Sequence, residues 1–112
     1  GMLLALLTVL TLQEPAVSGA IRAFEARRYA EARPALQANA KADPRAPLYL
    51  GRLELLEGDA AGAVPWLEQA VKAAPRSAEA HRWLGRAYAR QARRAGRLKQ
   101  ASLAGRVRES FE

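Results

Sequence analysis

Six arginines near the C-terminal end of the chain recur at steps of three and four residues: Arg82, Arg86, Arg90, Arg93, Arg94 and Arg97. On a helix this spacing places them on one face. Guanidinium groups there can bind carboxylates or phosphates through paired N–H donors. The alternative is a solvated helix face whose arginine stems cover apolar surface, and the sequence leaves both interpretations open.

The net charge of the protein is concentrated around this stripe. The chain has 112 residues and a net charge of +7. Residues 1–75 carry eight basic and eight acidic side chains, whereas residues 76–112 carry ten basic and three acidic ones. All of the excess positive charge therefore lies in the C-terminal third, an asymmetry that either interpretation of the arginines must explain.

No residues with catalytic or metal-binding spacing accompany the arginines. His81 is the single histidine, so we predict that it packs or lies at the surface rather than binding a metal. The absence of cysteine excludes a disulfide framework and a cysteine nucleophile. No Gly-rich phosphate loop occurs, and Glu54 and Glu57 have the spacing of an ordinary solvated helix face. The sequence predicts that the protein is not an enzyme and has no metal and no cofactor.

The elements that must position the arginines are helices. Half of the residues are hydrophobic, and most of these are Ala and Leu, which are strong helix formers. Pro44 and Pro75 each stop a helix, Ser77 caps the next one, and Gly96 interrupts the pattern. We predict an all-α fold with helices over residues 15–27, 29–42, 46–57, 60–74, 78–95 and 98–111.

An apolar run at residues 3–12 belongs to an N-terminal segment, residues 1–14, that precedes the helical domain at residues 15–112. The run is too short to cross a bilayer, which takes about 20 residues. It is either the apolar region of a secretory signal or a helix that packs on a partner, such as a second copy of the chain. Its candidate oligomer contacts are Leu3, Leu6, Leu7 and Leu10.

The chain repeats itself with a period of 31 residues. The superposed pairs are Tyr29 with Ala60, Ala32 with Ala63, Pro34 with Pro65, Leu36 with Leu67, and Pro44 with Pro75. Such self-similarity is the signature of a repeat architecture. Each unit leaves an apolar face open, so the units must stack to bury a continuous core.

These residues resemble the tetratricopeptide repeat, whose first helix carries a Leu-Gly pair and a Tyr and whose second helix closes with a Pro. The matching residues are Leu50-Gly51, Gly58-Asp59, Ala63, Leu67, Ala70 and Pro75, then Trp83-Leu84-Gly85 and Tyr88, and earlier Tyr29, Ala32, Leu36 and Pro44. The resemblance covers about residues 15–95. It implies about three antiparallel helix pairs stacked in a right-handed α-solenoid.

Within such a repeat, Gly51 and Gly85 let paired helices approach closely, and Leu84 and Tyr88 fill the remaining space. The pattern departs from the family after Tyr88, where an Arg-rich segment replaces the expected short turn. The last helix lacks a closing Pro, as a fragment of a longer array would. Three repeats are near the minimum for a stable stack, and neither end shows a polar cap, so self-association through residues 3–12 or the C-terminal helix is expected.

The resemblance also implies a site, because first-helix positions of the repeat face a concave groove that holds peptides. Arg52, Arg82, Arg86 and Arg90 occupy such positions. We therefore predict a protein-interaction module or scaffold whose groove binds an acidic or C-terminal peptide segment of another protein.

The alternative function is binding of nucleic acid or an anionic surface through the C-terminal Arg stripe. It is less favoured, because the repeat pattern assigns Trp83 and Tyr88 to the core and leaves no base-stacking platform. Similar bacterial proteins often carry a signal peptide, which favours a bacterial envelope location over the cytoplasm, but the compartment stays open.

Overall fold

Five helices make up residues 15–110, the part of the chain that the computed structural model describes. They are α1 (Ala16–Glu25), α2 (Tyr29–Ala38), α3 (Arg45–Leu56), α4 (Ala60–Ala73) and α5 (Ala78–Ser110). α1 packs against α2 and α3 against α4 as antiparallel pairs, and α5 packs along α4. No strand occurs in these residues, so the all-α prediction is confirmed.

Side-chain caps begin α4 and α5, whereas α1, α2 and α3 begin without one. The Asp59 carboxylate accepts a hydrogen bond from the Gly62 N–H at 2.8 Å at the start of α4. The Ser77 hydroxyl accepts one from the Ala80 N–H at 3.1 Å at the start of α5. Each cap satisfies a backbone donor that has no partner inside the helix.

α2 is shorter than predicted, because it ends at Ala38 rather than at residue 42. The Asn39 side chain donates to the Ala35 carbonyl at 2.7 Å, the oxygen that the Asn39 N–H would use in a continuing helix. A side chain that competes in this way for a backbone group ends helices.

The turns after α1 and α3 have the same left-handed geometry. Gly58 has φ +83°, and Arg27, which is 31 residues earlier, has φ +64°. After α3 the Gly58 N–H donates to Leu55 O at 3.1 Å, and after α1 the Arg27 N–H donates to Phe24 O at 2.9 Å. The repeat period therefore extends to the backbone of the turns, where glycine is favoured and arginine is not.

The buried core consists of two adjoining clusters along the stack. The first contains Val17, Ala20, Ala23, Phe24, Ala32, Leu36, Ala46, Leu50 and Leu53, with Tyr49 and Trp66 packed against it. The second contains Leu55, Ala60, Ala63, Leu67 and Ala87, with Trp83 and Leu84 packed against it. Alanines make up much of both clusters, so the helices lie close together.

Gly51 marks the closest approach of α3 and α4. A Cβ at this position would overlap the side chain of Leu67, which is fully buried. The predicted role of Gly51 is confirmed. Gly85 was expected to act in the same way, and that expectation was wrong for residues 15–110, because no atom lies within 4 Å of a Cβ built at Gly85.

An ion-pair network joins α2 to α3. Arg33 Nη1 lies 2.6 Å from Glu54 Oε1, and Arg33 Nη2 lies 2.7 Å from Glu57 Oε1. The hydrogen bond to Glu54, supported by Glu57, raises the pKa of Arg33 above its ordinary value. The two glutamates that the sequence suggested were solvated therefore bind a partner on the neighbouring pair.

α5 is one continuous helix of 33 residues, so the predicted break at Gly96 and the separate sixth helix were wrong. Nearly all of its residues from 91 to 110 are exposed. A single glycine costs a helix about 1 kcal/mol, and Gly96 has neither a proline nor a capping residue beside it to turn the chain. Across residues 15–110, no helix combines the length and the apolar content that crossing a bilayer requires.

Candidate functional site

A cleft of about 490 Å³ opens between α1, α3 and the first half of α5. It is lined by Phe24 and Tyr29, by Arg52, Leu55 and Leu56 of α3, and by Trp83, Arg86, Ala89, Arg90 and Arg93 of α5. Four of these ten residues are arginines. No acidic side chain of residues 15–110 lines the cleft, so it presents aromatic rings and positive charge together.

Arg52 lies at the base of this cleft among three aromatic rings. Its guanidinium carbon is 4.8 Å from the ring centre of Phe24, 5.0 Å from that of Tyr49 and 4.7 Å from that of Trp83. These rings belong to α1, α3 and α5, so one cation joins three helices by cation–π attraction. Arg52 Nη1 also lies 3.5 Å from Glu79 Oε1.

Arg52 keeps one unused hydrogen-bond donor. Its Nε is buried and has no acceptor within residues 15–110. A buried donor without a partner is costly, so a ligand oxygen or a water molecule that reached this atom would be held favourably.

Arg86 and Arg90 continue the cationic wall along α5. The Arg86 guanidinium lies 4.6 Å from the ring centre of Trp83. Arg90 Nη1 donates to Leu55 O at 2.9 Å, in the last turn of α3, where the helix dipole favours a cation. No carboxylate of the described part of the chain pairs with Arg86 or Arg93, so both can bind an anion.

A second cleft of about 470 Å³ adjoins the first. It is lined by Gly58, Ala60, Arg90, Arg93, Arg94, Arg97 and Leu98. Arg90 and Arg93 line both clefts, so an arginine-lined surface runs from α1 past the α3–α4 turn. Of the stripe that the sequence indicated, five arginines line this surface, and Arg82 does not.

Two comparisons with known proteins find nothing, since no curated protein and no solved structure matches the chain. The third is positive: a family model described as "Tetratricopeptide repeat" matches residues 18–78 and, in a second overlapping match, residues 58–106. The chain belongs to the tetratricopeptide repeat family. Tetratricopeptide repeats mediate protein–protein interaction.

In this tetratricopeptide repeat protein, α1 with α2 and α3 with α4 are the first two repeat units, and α5 begins a third. The first cleft therefore lies on the face formed by the first helices of successive units. Three of the four arginines predicted for the groove, Arg52, Arg86 and Arg90, meet there. Arg82 is exposed and lies outside both clefts.

Sequence reasoning missed two parts of this surface in the tetratricopeptide repeat chain. Arg93 belonged to the stripe but was not assigned to the groove. Phe24 at the end of α1 and Tyr29 at the start of α2 line the cleft, with their ring centres 5.4 Å apart. Their positions on either side of Arg27-Arg28 were the signal available in the sequence. The candidate oligomer contacts Leu3, Leu6, Leu7 and Leu10 lie outside the described residues.

Tyr88 was predicted to fill the core, and that prediction was wrong, because 47% of Tyr88 is exposed. Its hydroxyl donates to Glu68 Oε1 at 2.8 Å on the α4 side of the helix. This hydrogen bond to Glu68 raises the pKa of Tyr88. No helix of residues 15–110 packs over Tyr88, because α5 continues where a second helix was expected to turn back.

His81 lies at the surface, where its Nε2 is 2.7 Å from Pro75 O. Within residues 15–110, no group of three or more His, Asp or Glu side chains comes together in a way that could hold a metal ion.

Proposed function

We propose that this tetratricopeptide repeat protein is an interaction module whose arginine-lined surface binds an acidic segment of another protein. The observation that carries the proposal is the first cleft, which combines four arginines with the rings of Phe24 and Trp83 and has no acidic lining residue within residues 15–110. An extended peptide can place carboxylates on the arginines and an apolar side chain on the rings.

The state of each arginine supports an acidic ligand. Arg86 and Arg93 have no ion pair in the described part of the chain, and Arg52 has a long ion pair with Glu79 and an unused Nε. Arg90 is anchored to the end of α3, so it is held in place before a ligand arrives. Guanidinium groups positioned in advance lose little conformational entropy on binding a carboxylate.

The aromatic residues favour a protein ligand over a nucleic acid. The Trp83 ring is half-buried and lies against two guanidinium groups, those of Arg52 and Arg86. Tyr88 bonds to Glu68 and lies about 160–200° around the helix from Arg86 and Arg90. Among residues 15–110, no exposed ring therefore alternates with the arginines on their face of α5, as single-stranded nucleic-acid binding favours.

A random peptide library screened against the full chain tests the proposal. We expect selected peptides to be enriched in Asp and Glu, and we expect Arg86→Glu to weaken their binding by about tenfold or more. The matched control is Arg76→Glu, which makes the same charge change on an exposed turn residue outside both clefts. Peptides with free and amidated C-termini separate recognition of a chain end from recognition of acidic side chains.

Two outcomes would refute the proposal. The first is equal weakening by Arg86→Glu and Arg76→Glu, since that would show attraction to net charge rather than to the cleft. The second is the absence of enriched acidic peptides together with a gel shift of single-stranded nucleic acid that falls steeply with salt. That pattern would favour the nucleic-acid alternative.

A further inference from the structure

One face of α5 carries seven residues whose spacing is symmetric about Gly96. They are Gly85, Ala89, Ala92, Gly96, Gln100, Leu103 and Val107. The steps run 4, 3, 4, 4, 3 and 4, so at 100° per residue all seven lie within an arc of about 80°. This spacing is that of a helix-pairing seam.

Side-chain size along the seam changes at its centre. The half before Gly96 contains only glycine and alanine, and the half after it contains Gln100, Leu103 and Val107. Leu103 is 48% exposed and Val107 is 57% exposed. A Cβ built at Gly85 or Gly96 would meet nothing within 4 Å, so the space above these two glycines is open. Ala89, between them, borders the first cleft, so the seam meets the edge of that cleft.

The same chain already shows what a glycine at this repeat position does when it has a partner. Gly51 and Gly85 both follow a leucine on the first helix of a repeat unit, and Gly51 receives the buried side chain of Leu67 from an antiparallel helix. Gly85 lies in the corresponding place of the third unit, with no such helix within residues 15–110. Glycine inside a helix is unfavourable unless it allows close packing.

We propose that a second copy of this chain covers this face, with the two α5 helices antiparallel and the two-fold axis at Gly96. Antiparallel pairing about this centre sets Gly85 opposite Val107, Ala89 opposite Leu103, and Ala92 opposite Gln100, twice over. Each large side chain then meets a small one, as ridges-into-grooves packing requires. The second match of the tetratricopeptide repeat model reaches residue 106, so it extends into the part of α5 that would cover the other copy's third unit.

The geometry leaves room for both bodies. The helical pairs pack on the first part of α5, near Leu84, which in the paired arrangement lies opposite Arg108 of the other copy. Within one helix, Leu84 and Arg108 are about 36 Å apart. The α1–α4 helices of the two copies therefore lie near opposite ends of the paired α5 helices.

Charge opposes this pairing and gives it a signature. Arg93 and Arg97 lie beside the seam next to Gly96, so the two-fold axis brings them near the same residues of the other copy. The dimer is therefore expected to strengthen with salt, which screens like charges. Arg97→Glu, which both copies would carry, places each carboxylate near Arg93 of the other copy and is expected to tighten the dimer.

Sedimentation velocity on the full chain over a range of concentrations tests the proposal. We expect a monomer–dimer equilibrium that Gly85→Leu weakens by about tenfold or more, because leucine fills the space that Val107 of the other copy needs. We expect Gly85→Leu to leave the monomer folded, since a Cβ built there meets nothing within 4 Å in residues 15–110 and leucine is a strong helix former. Val107→Glu should weaken the dimer too, whereas the matched control Leu98→Glu, on the other side of α5 and 62% exposed, should not.

Engineered cysteines distinguish a second copy from a helix that folds back on itself. Ala89 and Leu103 are 14 residues apart, about 21 Å along a straight helix, so they cannot form a disulfide within one extended copy. Oxidation of the Ala89→Cys, Leu103→Cys variant should give covalent dimers, and the Ala89→Cys, Ser102→Cys control should give far fewer. A monomer at every concentration, a disulfide within one chain, or equal weakening by Leu98→Glu and Val107→Glu would each overturn the proposal.

Discussion

Replacing Gly58 by alanine isolates the conformational cost of the turn after α3. Gly58 has φ +83°, a region that L-residues with a side chain rarely adopt. A Cβ at this position meets nothing within 4 Å, so steric overlap contributes nothing. The hydrogen bonds of the turn, from Gly58 N–H to Leu55 O and from Asp59 N–H to Glu54 O, do not involve the side chain.

The size of the effect follows from two opposing contributions. A residue with a Cβ loses about 1–2 kcal/mol in the left-handed region. Alanine recovers about 0.4–1 kcal/mol by restricting the unfolded chain. We therefore expect Gly58→Ala to lower the free energy of unfolding by about 1 kcal/mol and the melting temperature by about 4–8 °C for a domain of this size.

The reverse substitution at the equivalent turn provides the paired measurement. Arg27 has φ +64° and the same hydrogen bonds, from Arg27 N–H to Phe24 O and from Arg28 N–H to Ala23 O. We expect Arg27→Gly to raise the free energy of unfolding by about 0.5–1 kcal/mol, since relief of the left-handed strain exceeds the entropy cost of glycine. Urea unfolding followed by circular dichroism measures both variants.

The reasoning would be refuted if Gly58→Ala left the unfolding midpoint unchanged or if Arg27→Gly lowered it. Either result would mean that the two turns do not share the backbone geometry on which the 31-residue period was extended. A change in the denaturant m-value would instead indicate that the substitution altered the unfolded state.

Three further predictions concern packing and acid stability. Gly51→Ala should lower the free energy of unfolding by about 1–3 kcal/mol, because the new Cβ displaces Leu67, and a thermal melt as high as that of the unmodified chain would contradict this. Gly85→Ala, at the equivalent repeat position, should raise it by up to about 1 kcal/mol through helix propensity; a loss of stability in dilute solution, where monomers prevail, would count against an open face. The hydrogen bond from Arg45 lowers the pKa of Asp43, so the ion pair stabilises the fold at neutral pH and loses this effect as the pH falls below about 4. Asp43→Asn should therefore lower the melting temperature at pH about 7 and change it little near pH 2. An equal decrease in melting temperature at both pH values would exclude the ion pair as the cause.

Local chemistry in the sequence was enough to predict most of the fold. Pro75 ends α4 by disfavouring the helical conformation at Ala74, and Asp59 and Ser77 begin helices through their side-chain oxygens. Pro44 lies beyond the end of α2, which Asn39 sets. The helix end at Asn39 was not predicted. Its side chain ends α2 by hydrogen bonding to the Ala35 carbonyl, which is not one of the common capping arrangements that a sequence pattern indicates.

The wrong predictions concern which element packs against a residue, rather than which backbone conformation the residue itself favours. Glycine is common in turns, but the residues on either side of Gly96 form helices readily, so α5 continues without a break at Gly96. The predicted environments of Tyr88 and Gly85 were wrong for the same reason, because both predictions assumed a second helix that turns back and packs on α5. A similar limit applies to the site: Arg93 joins the cleft and Arg82 does not, although periodicity places both on the same broad stripe.

The position of Arg52 bears on the curvature of the whole array. Its guanidinium lies among rings from three successive first helices, and the spacing of those helices determines how tightly the superhelix bends. We expect a ligand carboxylate that draws Arg52 away from these rings to change that spacing as it binds. The pitch of the superhelix would then depend on whether a ligand occupies the first cleft. The conformational change would pass to neighbouring repeats through the Arg52 side chain rather than through movement of the backbone turns.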